Sequence, residues 1–403
     1  MKKRFLALSV SAVLAVSMLA GCGGGSSAGG SSAAGSGAAG GSNVIKVGVF
    51  EPQTGENGGG GLQEVDGIRY ANKQKGSVKI GDKEYKIELV EVDNKSDKTE
   101  AVTAAQKLVD EKVIGVLGSY GSGVSIAAGD IFAKAKIPAI GCSCTNPQVT
   151  EGNDFYFRVC FLDPFQGTVM ANYAKKVGCT KAAVLTQKGD DYSVGLGTFF
   201  KNAFKNFGEI VADEQFETGA QDFKAVLTNI KSKNPDVIFA PSSIATAPLI
   251  IKQARELGIT AKIMAGDTWE NGEIIKNAGE HAEGICLSTF FDEDGVDAAG
   301  KDFITGFKAY LKENKKDEVI PAVSALGYDA YNTLIAAIEK AASTDPAKVQ
   351  EALKGVSVKG VTGDISFDEN GDAKKDMAFI KTVEKGAFKF LETQKVQYTL
   401  RLN

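Results

Sequence analysis

The sequence has little of what most enzymes and nucleic-acid-binding proteins need. Its 403 residues include one histidine, His281, so neither a His-based zinc site nor a Ser-His-Asp triad is expected. From residue 43 onward, the sequence also lacks the GxSxG motif of a nucleophile elbow. Charge is nearly balanced, with 46 Lys and Arg against 50 Asp and Glu, and nothing in that balance favours nucleic acid. We expect no cofactor, no bound metal and no catalysis.

Cysteine is scarce as well. Besides Cys22, the chain contains Cys142, Cys144, Cys160, Cys179 and Cys286. An odd number leaves at least one thiol unpaired within the chain. Cys142-Ser143-Cys144 lacks the CxxC spacing of redox and zinc motifs. Since several of these residues adjoin apolar strands, we expect free and mostly buried thiols.

The only long apolar run lies at the N-terminus. Residues 2–4 are basic and residues 5–19 are apolar, a run too short to span a bilayer comfortably. This layout is typical of a secretory signal. It ends in Leu-Ala-Gly-Cys at 19–22, which resembles the lipobox of bacterial lipoproteins. The alternative is an ordinary signal peptide followed by an incidental cysteine.

The lipobox resemblance implies a signal peptide at 1–21 and a diacylglyceryl group on Cys22. The segment that follows, 23–42, contains only Gly, Ser and Ala, which is typical of a flexible tether. We therefore expect an exported, extracytoplasmic protein that lipid holds on the bacterial membrane.

Apolar runs alternate with amphipathic segments through the rest of the chain. The predicted strands are 44–50, 85–92, 113–118, 137–141, 182–186, 237–240, 262–265 and 284–288, with C-terminal strands at 362–367, 377–383 and 388–392. Helical spacing is clear at 98–111, and an extended segment at 153–158 leads into a helix near Pro164. This alternation predicts α/β architecture with parallel sheets.

There are too many such units for one compact sheet, so two Rossmann-like lobes are expected. We assign 43–162 plus 291–367 to lobe 1, and 163–290 plus 368–403 to lobe 2.

A Gly-rich turn at 118–123 follows one predicted strand and opens a helix. It matches neither GxGxxG nor a P-loop. A helix that begins near Ser122 presents free N–H groups, and Gly123 allows a ligand to approach closely. Ser143 and Thr145 follow the next strand, so both groups fall at the carboxyl ends of neighbouring strands. This arrangement suggests an anion site; the alternative is a capped helix start without a ligand.

Asp267 and Trp269 follow the predicted strand at 262–265. The carboxylate of Asp267 could pair with a cationic ligand group, and Trp269 could form an apolar wall. The alternative is that Asp267 only caps a helix or stabilises a turn.

These residues, in this order, resemble the leucine/isoleucine/valine-binding family of solute receptors for ABC transporters. Further landmarks of the resemblance are Thr54-Gly55, Val92-Asp93-Asn94, Thr145-Asn146-Pro147, Phe157-Arg158, Asp222-Phe223-Lys224-Ala225, Asn234-Pro235-Asp236 and Ala282-Glu283-Gly284. The family's fold is a type I periplasmic binding protein, with two lobes that are joined by three crossovers and close on a ligand.

The resemblance also implies roles for individual residues. Ser122, Ser143 and Thr145 match positions that hold the carboxylate and ammonium of an amino acid. Tyr192 matches an aromatic that the second lobe places over the ligand, and Asp267 matches the acid that pairs with the α-ammonium.

Two positions depart from the family pattern. Gly60 and Ser243 stand where aromatic residues often line the side-chain pocket, and Trp269 would fill part of that space.

The expected function is capture of an amino acid, most simply a branched-chain or aliphatic one, by a monomeric receptor that delivers it to a membrane permease. Alternatives are a receptor for an aromatic amino acid or an amide, an extracytoplasmic sensor domain, and an enzyme that uses the same cleft.

Overall fold

The computed structural model of the protein describes residues 43–296 and 298–395. The predicted signal peptide, Cys22 and the tether lie outside these described residues. Among the described residues, no helix combines the length and the apolar character needed to cross a bilayer.

Strands and helices alternate through most of the described chain. The strands are β1 Val44–Glu51, β2 Ser77–Ile80, β3 Lys83–Asp93, β4 Val116–Leu117, β5 Ala139–Gly141, β6 Tyr156–Arg158, β7 Lys181–Lys188, β8 Glu209–Glu217, β9 Val237–Phe239, β10 Lys262–Ala265, β11 Cys286–Thr289, β12 Ser357–Gly360, β13 Gly363–Ser366, β14 Met377–Glu384 and β15 Ala387–Lys395. The α-helices are α1 Gly58–Gln74, α2 Lys98–Asp110, α3 Ser122–Ala135, α4 Asp163–Lys176, α5 Asp191–Phe204, α6 Lys224–Ser232, α7 Ala247–Glu256, α8 Gly272–Ala278, α9 Ala298–Glu313, α10 Ala322–Ala341 and α11 Pro346–Leu353.

Two large sheets organise the described chain. Their spatial orders are β2-β3-β1-β4-β5-β6 and β15-β14-β11-β10-β9-β7-β8. Neighbours pair in parallel except β2 with β3, β11 with β14, and β14 with β15. Central strands such as β1 and β9 are largely buried, which explains their nearly continuous apolar sequence. Each sheet, with its helices, forms the framework of one lobe.

The chain passes between the two sheets three times within the described residues. It crosses from β6 to β7, returns after β11 to α9, and crosses again from β13 to β14. Helices α9 and α10 pack on α1 beside the first sheet. A Cβ on Gly67 would overlap the carbonyl oxygen of Ser324, and one on Gly327 would overlap that of Glu64. The two helices can approach this closely because these positions lack side chains.

The strand order reverses between β1 and β4 in the first sheet and between β7 and β9 in the second. In open parallel sheets, ligands bind at such reversals, beyond the carboxyl ends of the strands. The topology therefore directs attention to the loops after β1, β4, β5, β7 and β10.

Every strand predicted from the apolar runs is present, with ends shifted by a few residues. The predicted helix at 98–111 is α2, and Asp97 caps it by accepting hydrogen bonds from the N–H groups of Thr99 and Glu100. The extended segment at 153–158 contains β6, and α4 follows it. The assignment of chain segments to lobes stays a prediction.

Strands β2, β8 and β12 were not predicted. Strands β2 and β8 lie at sheet edges and β12 pairs only with β13, and β8 carries charged, exposed residues at several positions instead of an apolar run. An edge strand that faces solvent loses the apolar signal by which strands are recognised.

The cysteines of the described chain are all buried and unpaired, which confirms the expectation of free thiols. Burial raises the pKa of Cys142, Cys144 and Cys160, so these thiols stay protonated.

Candidate ligand-binding site

A small pocket lies between the carboxyl ends of the two sheets, and we call it the interlobe pocket. It is lined by Asn57, Tyr120, Gly121, Ser122, Ser143, Asp190, Tyr192, Asp267 and Thr268. Four of the predicted site residues are therefore brought together: Ser122 and Ser143 from one lobe, and Tyr192 and Asp267 from the other.

Direct contacts join the two lobes around this pocket. The side-chain oxygen of Asn57 accepts a hydrogen bond from the N–H group of Ile244 at 3.1 Å. Lys98 Nζ lies 2.7 Å from Asp191 Oδ2. Since these contacts bridge the cleft between the two lobes, the structure represents the closed form of the protein.

Ser122 begins α3 at the edge of the first sheet. It follows Gly121, whose φ of +95° is a conformation that glycine adopts readily. Ser122 Oγ accepts a hydrogen bond from the N–H group of Asn146 at 3.1 Å, so the hydroxyl hydrogen is available to a ligand. Together with the N-terminus of α3, this hydroxyl can stabilise an anion.

Gly123 lies beside the pocket. A Cβ at this position would come within 2.9 Å of Lys98 Cε and 3.0 Å of Asp191 Oδ2. The absent side chain thus leaves room for the interlobe ion pair, and a direct contact between Gly123 and a ligand stays a prediction.

Ser143 and Thr145 belong to the loop after β5. Both hydroxyls are buried, and neither has a hydrogen-bond partner of good geometry within the described residues. Ser143 faces the interlobe pocket. Thr145 lies deeper, beside the carboxyl group of Asp163, so its predicted ligand contact stays a prediction.

A buried arginine fixes this loop. Arg158 of β6 donates hydrogen bonds to the carbonyl oxygens of Cys144 and Asn146 at 2.8 and 2.6 Å. Its Nε lies 2.5 Å from Asp372 Oδ1, in the segment that leads to β14. Arg158 therefore positions the backbone on both sides of Thr145 and connects it to a crossover between the lobes.

Asp267 provides the acid of the second lobe. Its Oδ1 accepts hydrogen bonds from Gln166 Nε2 at 2.9 Å and Tyr192 Oη at 3.0 Å, which leaves Oδ2 for a ligand. A Cβ on Gly266 would overlap Tyr192 Oη, so glycine is required for this contact. Burial raises the pKa of Asp267 to about 6, although both hydrogen bonds lower it.

Asp190 adds a second carboxyl group to the same side of the pocket. Burial raises its pKa to about 7, while the N–H group of Tyr192, which it caps, lowers the pKa. A buried carboxyl group, Asp267, and a partly buried one, Asp190, on the same wall favour a ligand that brings positive charge to the second lobe.

The structure explains why position 60 is a glycine although the family often has an aromatic residue there. A Cβ on Gly60 would overlap the ring of Tyr120, and the Tyr120 hydroxyl reaches across the pocket to the carbonyl oxygen of Thr268 at 3.4 Å. Tyr120 therefore supplies an aromatic wall in the space that an aromatic at position 60 would need. Tyr120 was not predicted as a site residue, because its only signal in the sequence is an aromatic residue within the Gly-rich turn.

Trp269 and Ser243 do not line the interlobe pocket of the described chain. Trp269 is fully buried, and its Nε1 donates to Ser242 Oγ at 3.3 Å. Ser243 Oγ lies 3.0 Å from Thr246 Oγ1 in the turn that opens α7. Both residues support the second lobe from within, and their predicted contribution to the ligand pocket stays a prediction.

The remaining pocket residues were also missed. Asn57 directly precedes α1 and Thr268 lies in a single 3₁₀ turn after β10, neither within a recognisable motif, and Asp190 was indistinguishable from an ordinary helix cap. These three residues line the same cavity only because the two lobes close on each other.

Residues 44–387 match the family described as "Periplasmic binding protein". The chain belongs to this family. A relative named "Amino acid binding protein", from Pseudomonas aeruginosa, is 31% identical over 350 residues, which are 85% of this chain and 91% of the relative. The family resemblance and the fold predicted from the sequence, two α/β lobes joined by three crossovers, are both confirmed.

Two solved structures show the same similarity. The leucine-binding protein LivK from Thermotoga maritima is 38% identical with a TM-score of 0.81, covering 87% of this chain and 99% of that one. The substrate-binding protein LivJ from Streptococcus pneumoniae, solved in complex with isoleucine, is 31% identical with a TM-score of 0.79, covering 88% and 99%.

Proposed function

We propose that this protein is an extracytoplasmic receptor that captures an α-amino acid, with a branched-chain or other aliphatic side chain, and delivers it to an ABC permease. The observation that carries the proposal is the placement of Asp267 opposite Ser122 and Ser143 in one closed pocket.

The chemistry of this pocket suits an amino acid zwitterion. The hydroxyl of Ser122 and the N-terminus of α3 offer donors to a carboxylate. Asp267 offers a buried carboxylate to an ammonium, and the ammonium would lower the raised pKa of this acid. Because the donors and the acid belong to different lobes, a zwitterion makes all its contacts only in the closed form, so binding favours closure.

The aromatic rings at the pocket favour an apolar side chain. Tyr120 and Tyr192 are both almost fully buried and line the pocket from opposite lobes. The relatives bear the names of leucine, branched-chain amino acid and amino acid binding proteins, which agrees with this preference. The names of these relatives are those of binding proteins, which favours capture over catalysis.

We further propose that the receptor is monomeric and attached to the membrane through lipid on Cys22. The support for this attachment comes from the sequence: the Leu-Ala-Gly-Cys motif at 19–22 and the Gly/Ser/Ala tether at 23–42. A tether of this composition leaves the folded lobes free to meet a permease.

A thermal-shift series with the amino acids on the purified protein tests the proposed function. Leucine, isoleucine or valine at about 100 times its Kd should add about 2.7 kcal/mol of stability. Glutamate and lysine serve as charged controls and should add much less. An unchanged melting temperature with every amino acid would contradict the proposal.

A further inference from the structure

Glu56, in the segment between β1 and α1 of the first lobe, reaches across the cleft to three segments of the second lobe. Its Oε2 accepts a hydrogen bond from Gln187 Nε2 at 2.7 Å, at the carboxyl end of β7. Its Oε1 accepts one from the N–H group of Gly219, after β8, at 3.1 Å. Its backbone carbonyl oxygen accepts a third from the N–H group of Ala245, after β9, at 3.1 Å. We call these three contacts the Glu56 clasp.

The clasp lies on the side of the cleft away from the crossovers. The crossovers of the described chain leave or enter the sheets at β6, β11 and β14. Strand β1, which precedes Glu56, lies three places from β6 in the first sheet, and β7 and β8 lie at the edge of the second sheet opposite β14. When two lobes rotate about their crossovers, the atoms farthest from the crossovers move most. Opening of the cleft therefore separates the partners of the clasp.

The clasp also lies beside the ligand position. A cavity of about 220 Å³ adjoins the interlobe pocket, and Glu56, Gln187 and Thr218 are among its lining residues. The residues that this cavity shares with the pocket are Asn57, Tyr120, Gly121 and Asp190. Glu56 thus lies one layer outside the residues that line the pocket, where it can hold the two lobes together around a ligand.

The partner of Glu56 is held in a fixed orientation. Gln187 is 2% exposed, and its Oε1 accepts a hydrogen bond from the N–H group of Ser243 at 3.1 Å. Its Nε2 also donates to Thr218 Oγ1 at 3.2 Å. The amide therefore directs its donor at Glu56. Since the acceptor is a carboxylate, this hydrogen bond is stronger than one between two neutral groups.

We propose that Glu56 sets how long the ligand stays bound, because its contacts with the second lobe form only when the cleft closes. This inference rests on the proposed function, in which an amino acid is enclosed between the lobes. Glu56 is a positioning residue: it contacts the second lobe and acts on the ligand by delaying reopening. The ligand enters the open form before the clasp exists, so the clasp slows dissociation and leaves association unchanged.

Stopped-flow kinetics with leucine test this division between the two rates. Trp269, the only tryptophan of the chain, lies in the same turn as Asp267 and serves as the fluorescent reporter. Glu56→Ala should dissociate roughly 10-fold faster, since it loses two hydrogen bonds to a carboxylate, and its Kd from calorimetry should rise by the same factor. Glu111→Ala is the matched control, because the partner of Glu111 is Lys46 of the same lobe, at 2.6 Å. It should keep both wild-type rates.

An exchange of the two side chains gives a second test. Gln187→Glu places two carboxylates opposite each other, so it should dissociate faster than the wild type. The double variant Glu56→Gln/Gln187→Glu restores a hydrogen bond between an amide and a carboxylate, with the donor now on the first lobe. Its dissociation should return toward the wild-type rate. A role of Glu56 within its own lobe predicts no such rescue.

Three results would each overturn the inference. They are a wild-type dissociation rate in Glu56→Ala, a loss of affinity that arises entirely from slower association, and a double variant that dissociates as fast as Gln187→Glu. The proposed function fails separately, if the wild-type protein gives no binding heat with any amino acid.

Discussion

Replacement of Asp267 by Asn should weaken ligand binding while it raises the stability of the unliganded protein. Asp267 is 3% exposed, and its Oδ1 holds Gln166 and Tyr192, contacts that an asparagine oxygen can keep. Removal of the charge leaves the ligand ammonium buried without a counter-charge, which costs roughly 3–5 kcal/mol. The Kd for leucine should therefore rise between about 100-fold and several thousand-fold.

The same substitution should stabilise the unliganded protein. The pKa of Asp267 is raised in the folded state to about 6 from an ordinary value of 3.8. An acid with a raised folded pKa favours folding below pH 4, and this stability is lost as the pH rises through 6. At pH 7 the buried charge thus costs up to about 3 kcal/mol, and Asp267→Asn removes that cost. If Asp267 served only to stabilise the fold, Asp267→Asn would instead lower the stability of the unliganded protein.

Asp236 provides the matched control. It accepts hydrogen bonds from the N–H groups of Thr180 and Lys181, and these lower its pKa. Asp236→Asn should destabilise the protein slightly and leave leucine affinity unchanged. Calorimetry and thermal melting of both variants decide the matter. Wild-type affinity in Asp267→Asn, or a lower melting temperature of its unliganded form, would refute the reasoning.

Three further predictions concern the anchor and the pocket walls. Cys22→Ala should shift the protein from the membrane fraction to the soluble fraction of cells without changing leucine affinity, and membrane association that survives a high-salt wash would exclude the lipid. Gly60→Ala should displace the Tyr120 ring and weaken leucine binding by about 1–3 kcal/mol. Tyr120→Phe keeps the ring and should keep most of the affinity. Equal leucine affinities of Gly60→Ala and the wild type would contradict the assignment of Tyr120 to the pocket wall. Competition among valine, leucine and isoleucine should show modest differences, since a buried methylene contributes about 0.8 kcal/mol, and tighter binding of glutamate or lysine would contradict an apolar pocket.

Sequence patterns were sufficient for the parts of this protein that depend on local chemistry. Apolar runs located the central strands, because a parallel strand buried on both faces needs apolar residues throughout. Edge strand β8, with its exposed charged residues, lacks that signature. Ser122, Ser143 and Asp267 could be proposed as site residues because each follows a strand at its carboxyl end.

The rest of the site depends on contacts between distant segments. Tyr120 becomes a pocket wall because Gly60, on another helix, leaves space for its ring. Trp269 lies inside the second lobe, although its position after β10 suggested a pocket wall. Glu56 is an ordinary charged residue in the sequence, and only the closure of the two lobes brings its carboxylate to Gln187. Neither burial nor proximity between residues from distant segments produces a local pattern in the sequence.

The central claim is that one ligand bridges the donors of the first lobe and Asp267 of the second. Calorimetry of leucine against 4-methylpentanoate at pH 7 tests it most directly, because the two share the side chain and the carboxylate and differ in the ammonium. The account predicts that leucine binds and that 4-methylpentanoate binds at least about 100-fold more weakly, since Asp267 is then left without its partner. Equal affinity of the two compounds would contradict the account.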